Sequence, residues 1–466
     1  MASPELLSRF AAIVGDKYAV TDPAELAPHL VEQRGLYQGN APMMLRPGSV
    51  AEVQAILKLA NETKTGIVPQ GGNTGMSGGA VPFGEIIVSL SRLDRIREID
   101  AASNTMTCEA GVILANAHRA AAEAGRLFPL SLGAEGSCTI GGNLSTNAGG
   151  TAAIVYGTAR DLVLGIEAVL ADGRVVNVLN KLKKDNTGYD LRDLFVGAEG
   201  TLGIVTAAVL KLFPRPRAVE TAFIGLASPQ AALDLLGLLQ ERAGGMVTSF
   251  ELMARICVEF AVSHGQGVRD PLDAPHPWYV LAELSSQNAE GLRGLLEETL
   301  ETAIERGIVD DATVAANIDQ QNALWNMRMQ LTETQKPEGG SIKHDVSVPV
   351  SAVPAFIAEA SEAVVKLVPG ARPVPFGHLG DGNIHFNVSQ PVGADKAEYL
   401  KGWNAMNEVV HAIVMKHGGS VSAEHGIGRL KRELLAKVKD PVALDIMRRI
   451  KSALDPNGIM NPGKVL

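Results

Sequence analysis

The sequence contains little cysteine and few aromatic side chains. Its 466 residues include three cysteines, and Phe, Trp and Tyr together make up 4%. Cys108, Cys138 and Cys257 lie far apart and form no C-x-x-C pair. We therefore expect neither a disulfide framework nor a thiolate zinc site.

Long apolar runs and a leader-like beginning are also missing from the sequence. No uncharged apolar stretch approaches the length of a membrane span. The first residues, MASPELLSRFAAIVGD, contain no basic segment followed by an apolar run. From these two features we expect a protein without a membrane span that works in the cytoplasm or in a similar compartment.

An excess of positive charge is missing as well. The formal net charge is −9 at pH 7, and a net acid is attracted neither to nucleic acid nor to an anionic membrane surface. Hydrophobic residues make up 46% and charged residues 20%, as in a globular protein, and the length suggests two or three domains. Functional positive charge is therefore expected inside a pocket.

Two common phosphate-binding motifs, G-x-G-x-x-G and GxxxxGK[ST], do not occur, so neither a Rossmann site nor a P-loop is indicated. Other glycine-rich loops are present: five glycines lie between Gly71 and Gly79, six lie within residues 129–150, and a third loop surrounds Gly200. Glycine permits positive φ and close approach of backbone N–H groups to an anion, which suits a phosphate-bearing cofactor. A flexible surface loop is the ordinary alternative. The small side chains and low charge of residues 129–150 also argue against a helix there.

The pattern of helices and strands divides the chain. Ser49 followed by Glu52 is a capping-box pattern, and apolar residues at helical spacing predict a helix over residues 50–64. After Pro216 the order strand, helix, two strands, helix, strand predicts a ferredoxin-like unit. We expect a first domain over residues 1–216, a second over 217–420 and a closing segment over 421–466.

Four residues in the last quarter of the chain suit a metal centre. A two-residue Asp-Gly turn would place His378 directly opposite His385 on one face of a hairpin. Cβ atoms in such a pair lie about 4.5–5.5 Å apart, so two ring nitrogens can reach one divalent cation. Glu424 and His425 stand side by side in a glycine-flanked loop, as a third ligand and a neighbouring base. Ordinary loop or core histidines are the alternative interpretation.

Three further side chains suit an anionic substrate. Arg328 and Thr332 are four residues apart in a predicted helix and so share one face, and Lys343 lies on the predicted strand beyond it. Two cations and a hydroxyl group can bind a carboxylate, and arginine can do so through two parallel hydrogen bonds. A solvated helical face is the alternative explanation of these charges.

An ordered set of motifs covers nearly the whole chain. They are PQGGNTGMSGG, GAEGSCTIGGNLSTNAGG, GAEGTLGIVT, GHLGDGNIHF, SAEHGIG and DPNGIMNPGK. In this order they resemble the FAD-dependent D-2-hydroxyacid dehydrogenases of the vanillyl-alcohol oxidase flavoprotein superfamily. The resemblance implies an α+β protein with a two-subdomain FAD-binding fold, a substrate (cap) domain that contains a ferredoxin-like unit, and a C-terminal helical segment that packs back on the FAD domain.

The resemblance also implies where FAD binds. Gln70 to Gly79 contains neither histidine nor cysteine, which favours non-covalent FAD, with Cys138 the only thiol nearby. The cofactor-binding positions lie in the glycine loops and in the C-terminal segment. They are Pro69, Gly71, Gly72, Asn73, Thr74, Gly75, Ser137, Gly141, Gly142, Asn147, Gly200, Ile204 and Asn461.

By the same resemblance, His378, His385 and Glu424 are metal ligands and His425 is the general base. Zinc suits this ligand set, with manganese or cobalt as alternatives. A bound metal would lower the pKa of a 2-hydroxyl group enough for an imidazole to deprotonate it, and the C2 hydride would pass to flavin N5.

The resemblance assigns substrate binding to Arg328, Thr332, Lys343 and Asn387. This set implies a dicarboxylate, and D-2-hydroxyglutarate, oxidised to 2-oxoglutarate, is the preferred substrate. Because no nicotinamide site is recognised, a quinone or an electron-transfer flavoprotein is expected to take the electrons. A homodimer is also expected.

Three other functions fit parts of the sequence. A D-lactate or glycolate dehydrogenase of the same family would not need the anchor at Lys343. A zinc hydrolase would use the histidines and Glu424 but would leave three glycine loops without a purpose. A flavin-carrying subunit without catalytic activity would not need both the metal ligands and the carboxylate-binding cations.

Overall fold

A computed structural model describes residues 3–466, which form two compact units. Among these residues, the first unit comprises 3–149, Gly157–Arg215 and Glu424–Leu466, and the second comprises Gly150–Tyr156 and Pro216–Ala423. Within residues 3–466, none of the helices combines the length and the apolar character needed to cross a bilayer.

The described residues form sixteen α-helices and nineteen β-strands. The helices are α1 (Pro4–Val14), α2 (Pro23–Leu26), α3 (Val50–Thr63), α4 (Leu114–Glu123), α5 (Ile140–Thr146), α6 (Ala153–Tyr156), α7 (Arg192–Phe195), α8 (Pro229–Ala243), α9 (Arg255–His264), α10 (Leu292–Glu305), α11 (Ile318–Thr334), α12 (Val353–Leu367), α13 (Lys396–Leu400), α14 (Trp403–Lys416), α15 (Arg432–Val438) and α16 (Pro441–Leu454). The strands are β1 (Ala19–Val20), β2 (Met44–Leu45), β3 (Ile67–Gln70), β4 (Ile86–Ser89), β5 (Ile96–Asp100), β6 (Thr105–Glu109), β7 (Arg126–Leu127), β8 (Val163–Val169), β9 (Val175–Asn177), β10 (Ile204–Lys211), β11 (Phe213–Pro214), β12 (Ala218–Leu226), β13 (Val247–Ala254), β14 (Trp278–Ser286), β15 (Asp311–Val314), β16 (Ser341–Ile342), β17 (Asp345–Ser347), β18 (Arg372–His378) and β19 (Asn383–Ser389).

Two sheets form the centre of the first unit. One has the order β1-β2-β4-β3, in which β2, β4 and β3 are parallel, and the other is antiparallel with the order β5-β6-β10-β8-β9. Ile56 of α3, Ile86 of β4 and Ile204 of β10 belong to one buried cluster, so the two sheets share a core. Strand β3 ends at Gln70, directly before the first glycine loop, and its position therefore sets the position of that loop.

Helix α3 confirms the helix predicted for residues 50–64. The Ser49 hydroxyl accepts a hydrogen bond from the Glu52 backbone N–H at 3.2 Å, which satisfies one of the free N–H groups of the first turn. The Glu52 side chain accepts from the Gly48 N–H at 2.7 Å, one residue earlier than in a standard capping box. The local start signal was therefore sufficient to locate this helix.

The second unit contains the predicted ferredoxin-like arrangement. Strands β12, β13, β14 and β15 pair in the antiparallel order β15-β12-β14-β13, with α8 and α10 as the connecting helices. The sheet continues through β18, β19 and β16, and β17 also pairs with β19. An additional helix, α9, follows β13 where the sequence analysis had predicted none. The predicted α+β class is confirmed.

The hairpin that carries the two histidines has a different register from the predicted one. His378 lies opposite Asn383, and His385 lies opposite Phe376, so the direct His378–His385 pairing was wrong. Four residues, starting at Leu379, separate the paired positions, because a 3₁₀ turn is followed by Gly382 in the left-handed region at φ 82°. A shift of two positions preserves the face on which side chains point. Both histidines therefore still lie on one side of the sheet.

The compact units divide the chain near the predicted boundaries, with one exception. The units change at residues 215/216 and 423/424, and the last segment belongs to the first unit. Residues 150–156, which we had assigned to the FAD-binding domain, belong to the second unit, because Ile154 packs against the core of that unit. The extent of each functional domain stays a prediction.

The hairpin turn generates a stability prediction. A Cβ added to Gly382 would overlap the backbone oxygen of Val348, whereas Gly393, at φ 76°, has no heavy atom within 4 Å of an added Cβ. Both Gly→Ala substitutions force a side chain into the left-handed region, at about 1–2 kcal/mol. We expect Gly382→Ala to lower the midpoint of thermal unfolding, followed by near-UV circular dichroism, clearly more than Gly393→Ala. Equal shifts would contradict the close approach at Gly382.

Candidate functional site

The first unit contains a cleft lined by the three glycine-rich loops. Of the predicted cofactor-binding residues, ten line it. They are Pro69, Gly71, Gly72, Asn73, Thr74, Gly75, Gly141, Gly142, Gly200 and Ile204. The loops themselves pack closely, since a Cβ on Gly72 would overlap the backbone oxygen of Ser137, and a Cβ on Gly141 would lie 2.6 Å from that of Ala110. Glycine is therefore required to bring these loops together.

Three predicted cofactor residues do not line the cleft but support it. Ser137 presents its backbone oxygen to Gly72, and the side chain of Asn147 accepts a hydrogen bond from the Arg160 N–H at 3.0 Å. Asn461 donates from Nδ2 to the backbone oxygens of Gly79 and Glu199 at 2.9 and 2.7 Å. Both of those acceptors belong to residues that line the cleft. Asn461 thus ties the C-terminal segment to the glycine loops.

The second glycine-rich loop corrects one of our expectations. Residues Ile140–Thr146 form helix α5, although small residues and two glycines had argued against a helix. The hydroxyl groups of Ser145 and Thr146 donate to the backbone oxygens of Gly141 and Gly142 at 2.7 and 3.1 Å. Leu144 is buried, so tertiary packing stabilises a segment of low helix propensity.

The chemistry of the cleft fits a flavin nucleotide. Glycine-rich backbone and small hydroxyl side chains surround it, and the buried Thr139 hydroxyl, which sequence reasoning missed, has no hydrogen-bond partner within the protein. A phosphate or a ring edge would satisfy such a group. Cys138 also lines the cleft, and burial raises the pKa of its thiol to about 11, which disfavours the reactive thiolate.

The predicted base and the predicted carboxylate ligand belong to the same unit as the cleft. His425 lines the cleft, and its backbone oxygen accepts a hydrogen bond from the Ser77 hydroxyl at 2.9 Å. The carboxylate of Glu424 lies against the glycine loop, with Oε1 2.8 Å from the position of a Cβ on Gly149. Glycine at position 149 therefore leaves the space that the Glu424 carboxylate occupies.

The second unit brings the two hairpin histidines together. Their ring centroids are 5.6 Å apart with an interplanar angle of 77°. His378 is buried and shares a hydrogen bond between Nδ1 and Oε1 of Glu251 at 2.6 Å. Nδ1 of His385 lies 3.7 Å from Oδ1 of Asp345. A carboxylate on Nδ1 directs Nε2 to the opposite edge of the ring, which is the usual arrangement around a metal-binding histidine.

Glu251 is the central residue that sequence reasoning missed. It lies on β13 with no exposed surface, and its Oε2 accepts from Nε of Arg328 at 2.7 Å, with Nη2 also at 2.7 Å. Burial alone would raise its pKa, but Arg328 and His378 outweigh burial and lower the pKa of Glu251 to about 2. In the sequence of β13, Glu251 is the one charged residue, and this feature could have identified it as a functional candidate.

The predicted substrate residues all lie in the second unit. Arg328 and Thr332 are one turn apart on α11, with Arg328 buried and Thr332 half-buried. Lys343 falls between β16 and β17 instead of within a strand, and it is half-buried. Asn387 is buried on β19, two positions after His385 and on the same face. Its Nδ2 donates to Oε1 of Gln335 at 2.9 Å.

The α+β fold, together with the family models that match it, defines a flavoprotein of the vanillyl-alcohol oxidase type. Family models match as "FAD binding domain" over residues 41–179 and "FAD linked oxidases, C-terminal domain" over residues 215–465. The fold is similar to that of p-cresol methylhydroxylase, with a TM-score of 0.79, 18% identity and coverage of 99% of this chain and 96% of that one. It is also similar to 4-ethylphenol oxidase from Gulosibacter chungangensis, with a TM-score of 0.75, 20% identity and coverage of 100% and 98%.

Three relatives found by sequence share a higher identity with this chain than these two structures do. A protein named mitochondrial D-2-hydroxyglutarate dehydrogenase from Arabidopsis thaliana is 38% identical over 99% of this chain and 81% of its own length. The D-2-hydroxyglutarate dehydrogenase of Xanthomonas citri pv. viticola is 36% identical over 100% of this chain and 97% of its own length. A putative mitochondrial D-lactate dehydrogenase of Schizosaccharomyces pombe is 36% identical, with coverage of 95% and 85%. The chain belongs to the family of FAD-dependent D-2-hydroxyacid dehydrogenases.

The close packing of the glycine loops generates a prediction on flavin binding. Gly72→Ala would push the first loop away from the Ser137 backbone, whereas Gly136, in the second loop, has no heavy atom within 4 Å of an added Cβ. Overpacking costs about 1–3 kcal/mol, and about 1.4 kcal/mol is a tenfold change in affinity. We expect Gly72→Ala to bind FAD at least about tenfold more weakly, measured by flavin fluorescence titration of the apoprotein. Gly136→Ala serves as the control, and equal affinities of the two variants would contradict this account.

The contacts of Glu251 generate a prediction on metal binding. Glu251→Gln keeps the size of the side chain but removes the charge that holds both His378 and Arg328. Loss of such an outer carboxylate typically lowers metal affinity about 10–100-fold. We expect this loss for zinc, measured as zinc retained after dialysis against a graded chelator buffer. The control is Glu283→Gln, a half-buried carboxylate on β14 that accepts a hydrogen bond from Trp325. Unchanged zinc retention in Glu251→Gln would contradict the role of His378.

Proposed function

We propose that this protein oxidises D-2-hydroxyglutarate to 2-oxoglutarate with non-covalent FAD and a divalent metal ion. The buried network of Arg328, Glu251 and His378 carries this proposal. The Glu251 carboxylate contacts both the guanidinium group of Arg328 and the imidazole of His378. A guanidinium group can bind a substrate carboxylate, and an imidazole can bind a metal ion. The names of the relatives from Arabidopsis and Xanthomonas support the choice of substrate.

FAD is proposed to occupy the cleft of the first unit. The glycine-rich loops after β3 and around α5 would hold its phosphates through backbone N–H groups, and the Thr139 hydroxyl would gain a partner. Bound FAD supplies an acceptor for the hydride that leaves C2 of the substrate. The buried, protonated thiol of Cys138 supports non-covalent binding.

The proposed metal ligands are His378, His385 and Glu424. Two imidazoles and one carboxylate form a common zinc ligand set, and manganese or cobalt are alternatives. A bound ion of this kind supplies a Lewis acid that lowers the pKa of the substrate hydroxyl group. Glu251 contributes by holding the His378 ring through Nδ1.

The remaining steps belong to the side chains of this chain. His425 is proposed to take the hydroxyl proton on a ring nitrogen, because an imidazole titrates close to neutral pH. Arg328, Thr332, Lys343 and Asn387 are proposed to bind the carboxylates and to orient C2. Since Glu251 already engages the Nε–Nη2 edge of Arg328, a substrate carboxylate would have to use the edge that includes Nη1.

A quinone or an electron-transfer flavoprotein is proposed as the electron acceptor, and a homodimer as the assembly. The cytoplasmic location stays a prediction. The names of the plant relative and of a rat relative include the word mitochondrial, whereas that of the Xanthomonas relative does not.

D-lactate is a second candidate substrate, and one observation favours it. The charge of Arg328 is balanced by Glu251, so Lys343 is the cation that would have to attract the second carboxylate of a dicarboxylate. A monocarboxylate would not need it. The S. pombe relative, a putative D-lactate dehydrogenase, is compatible with this alternative.

Anaerobic reduction of the flavin distinguishes the two substrates. We expect D-2-hydroxyglutarate to bleach the flavin band faster than D-lactate or D-malate, EDTA to abolish bleaching, and zinc to restore it. Lys343→Met should raise the KM for D-2-hydroxyglutarate at least about tenfold, in the range of a lost charged hydrogen bond, and leave that for D-lactate unchanged. Lys336→Met is the control, because Lys336 is exposed and paired with Glu333.

Three results would count against the proposal. Fastest bleaching by D-lactate would transfer the substrate assignment to the monocarboxylate. Full activity of His425→Asn would exclude His425 as the base. A protein that binds no FAD after reconstitution would exclude the oxidation reaction altogether.

A further inference from the structure

The segment that carries the proposed base has no regular secondary structure of its own. Residues 424–428, here called the His425 loop, lie in the first unit between the end of the second unit and the turn before α15. Neither a helix nor a strand ladder fixes the backbone of these residues. The backbone oxygens of Ile427 and Gly428 accept hydrogen bonds from Lys431 and Val465 at 3.0 and 2.8 Å, and side chains that hold the loop add to these contacts in positioning His425.

Glu199 holds this loop with both of its carboxylate oxygens. Oε1 accepts the backbone N–H of Ile427 at 2.7 Å, and Oε2 accepts that of Gly428 at 2.8 Å. These two short hydrogen bonds fix two consecutive backbone N–H groups through one side chain. These two bonds are therefore a strong local constraint on the residues that follow His425.

The Glu199 carboxylate also has little free space around it. A Cβ on Gly426 would lie 2.9 Å from Oε1, and a Cβ on Gly79 would lie 3.2 Å from Oε2. Both glycines leave room for Glu199 and for little else. Burial raises the pKa of Glu199, while the N–H groups of Ile427 and Gly428 favour its ionised form.

The backbone of Glu199 is itself tied to the cleft. Its N–H donates to the Ser145 oxygen at 2.8 Å, and its oxygen accepts from Nδ2 of Asn461 at 2.7 Å. Its φ of 50° lies in the left-handed region, which residues other than glycine rarely adopt. Glu199 and His425 both line the cleft. A strained residue is thus maintained where the wall of the cleft meets the His425 loop.

We propose that Glu199 is a positioning residue for His425, which couples the wall of the flavin cleft to the loop that carries the base. The proposal rests on the function of His425 proposed above. Because Glu199 belongs to both structures, occupation of the cleft by FAD stabilises the loop, and the ordered loop favours FAD binding by the same factor. Ser77, whose hydroxyl donates to the His425 oxygen at 2.9 Å, is a second and weaker anchor.

The test uses Glu199→Gln in the full chain, with and without FAD. The amide group of glutamine retains one acceptor and turns an NH₂ group toward the second backbone donor. We expect hydrogen exchange of residues 427 and 428 to increase at least about tenfold in the FAD-loaded variant, the factor that corresponds to about 1.4 kcal/mol. In the wild type, FAD should slow exchange of these amides, and in the variant this effect should be much smaller.

Kinetics separate positioning from general stability. We expect kcat per bound flavin to fall at least about tenfold while KM stays within about twofold, because the proposed substrate-binding side chains lie in the second unit. Glu52→Gln is the matched control, since Glu52 is a half-buried carboxylate that also accepts a backbone N–H, that of Gly48 at 2.7 Å, and it lies on α3 outside the cleft. It should change neither exchange nor kcat.

Two results would overturn the coupling. One is unchanged exchange of residues 427 and 428 in Glu199→Gln, and the other is faster exchange with an unaltered kcat. If Glu199→Gln does not fold, Ser77→Ala takes its place, and the absence of faster exchange around residues 425–428 in that variant would also overturn it. Full activity of His425→Asn would instead remove the proposed base, and the exchange measurement would still report on the loop.

Discussion

A buried carboxylate with two cationic neighbours is the constraint on which the second unit depends. Glu251 has no exposed surface and would be costly to bury alone, yet it lies within hydrogen-bond distance of both Arg328 and His378. Removing one partner of a buried pair typically costs about 3–5 kcal/mol, so each of the three side chains requires the others. The network also links α11, β13 and β18, and it sets the orientation of a histidine and of an arginine together. Structural stability and the arrangement of functional groups thus have the same origin here.

In the first unit a carboxylate also holds a functional segment, but its partners are backbone N–H groups and not charged side chains. Gly72 and Gly141 allow the loops to approach each other closely, and the wall of the cleft that these loops form is rich in glycine. Glu199 then connects this wall to the His425 loop through two backbone N–H groups. Each unit therefore uses one glutamate to hold a histidine: the buried Glu251 through the imidazole ring, and the half-buried Glu199 through the backbone that follows His425. Glu251 contacts charged side chains, whereas Glu199 contacts backbone N–H groups. We therefore expect mutation of Glu251 to change metal binding and mutation of Glu199 to change the order of the His425 loop.

Sequence patterns were reliable where the physical cause is local. The cap at Ser49, the alternation of strands and helices after Pro216 and the density of glycine near Gly71 all act over a few residues. The hairpin was predicted with the correct face but the wrong register, because the number of turn residues depends on how Gly382 fits against Val348. Helix α5 was missed, since burial of Leu144 and the hydroxyl groups of Ser145 and Thr146 outweigh the low propensity of glycine.

The sequence by itself determined the family, and it predicted the class of chemistry: the glycine loops predict a nucleotide site, the histidines and Glu424 a metal site, and the cations a carboxylate site. Only the tertiary structure decided which side chains hold these groups. Glu251 lies 127 residues before His378, and Glu199 lies 228 residues before Ile427. Such pairs meet because of the order of strands in a sheet and the path of loops around a cleft, and neither leaves a short-range pattern in the sequence. The ion pair of Arg328 could not be read from the sequence for the same reason, because its partner Glu251 comes from a strand that is adjacent only in the folded chain.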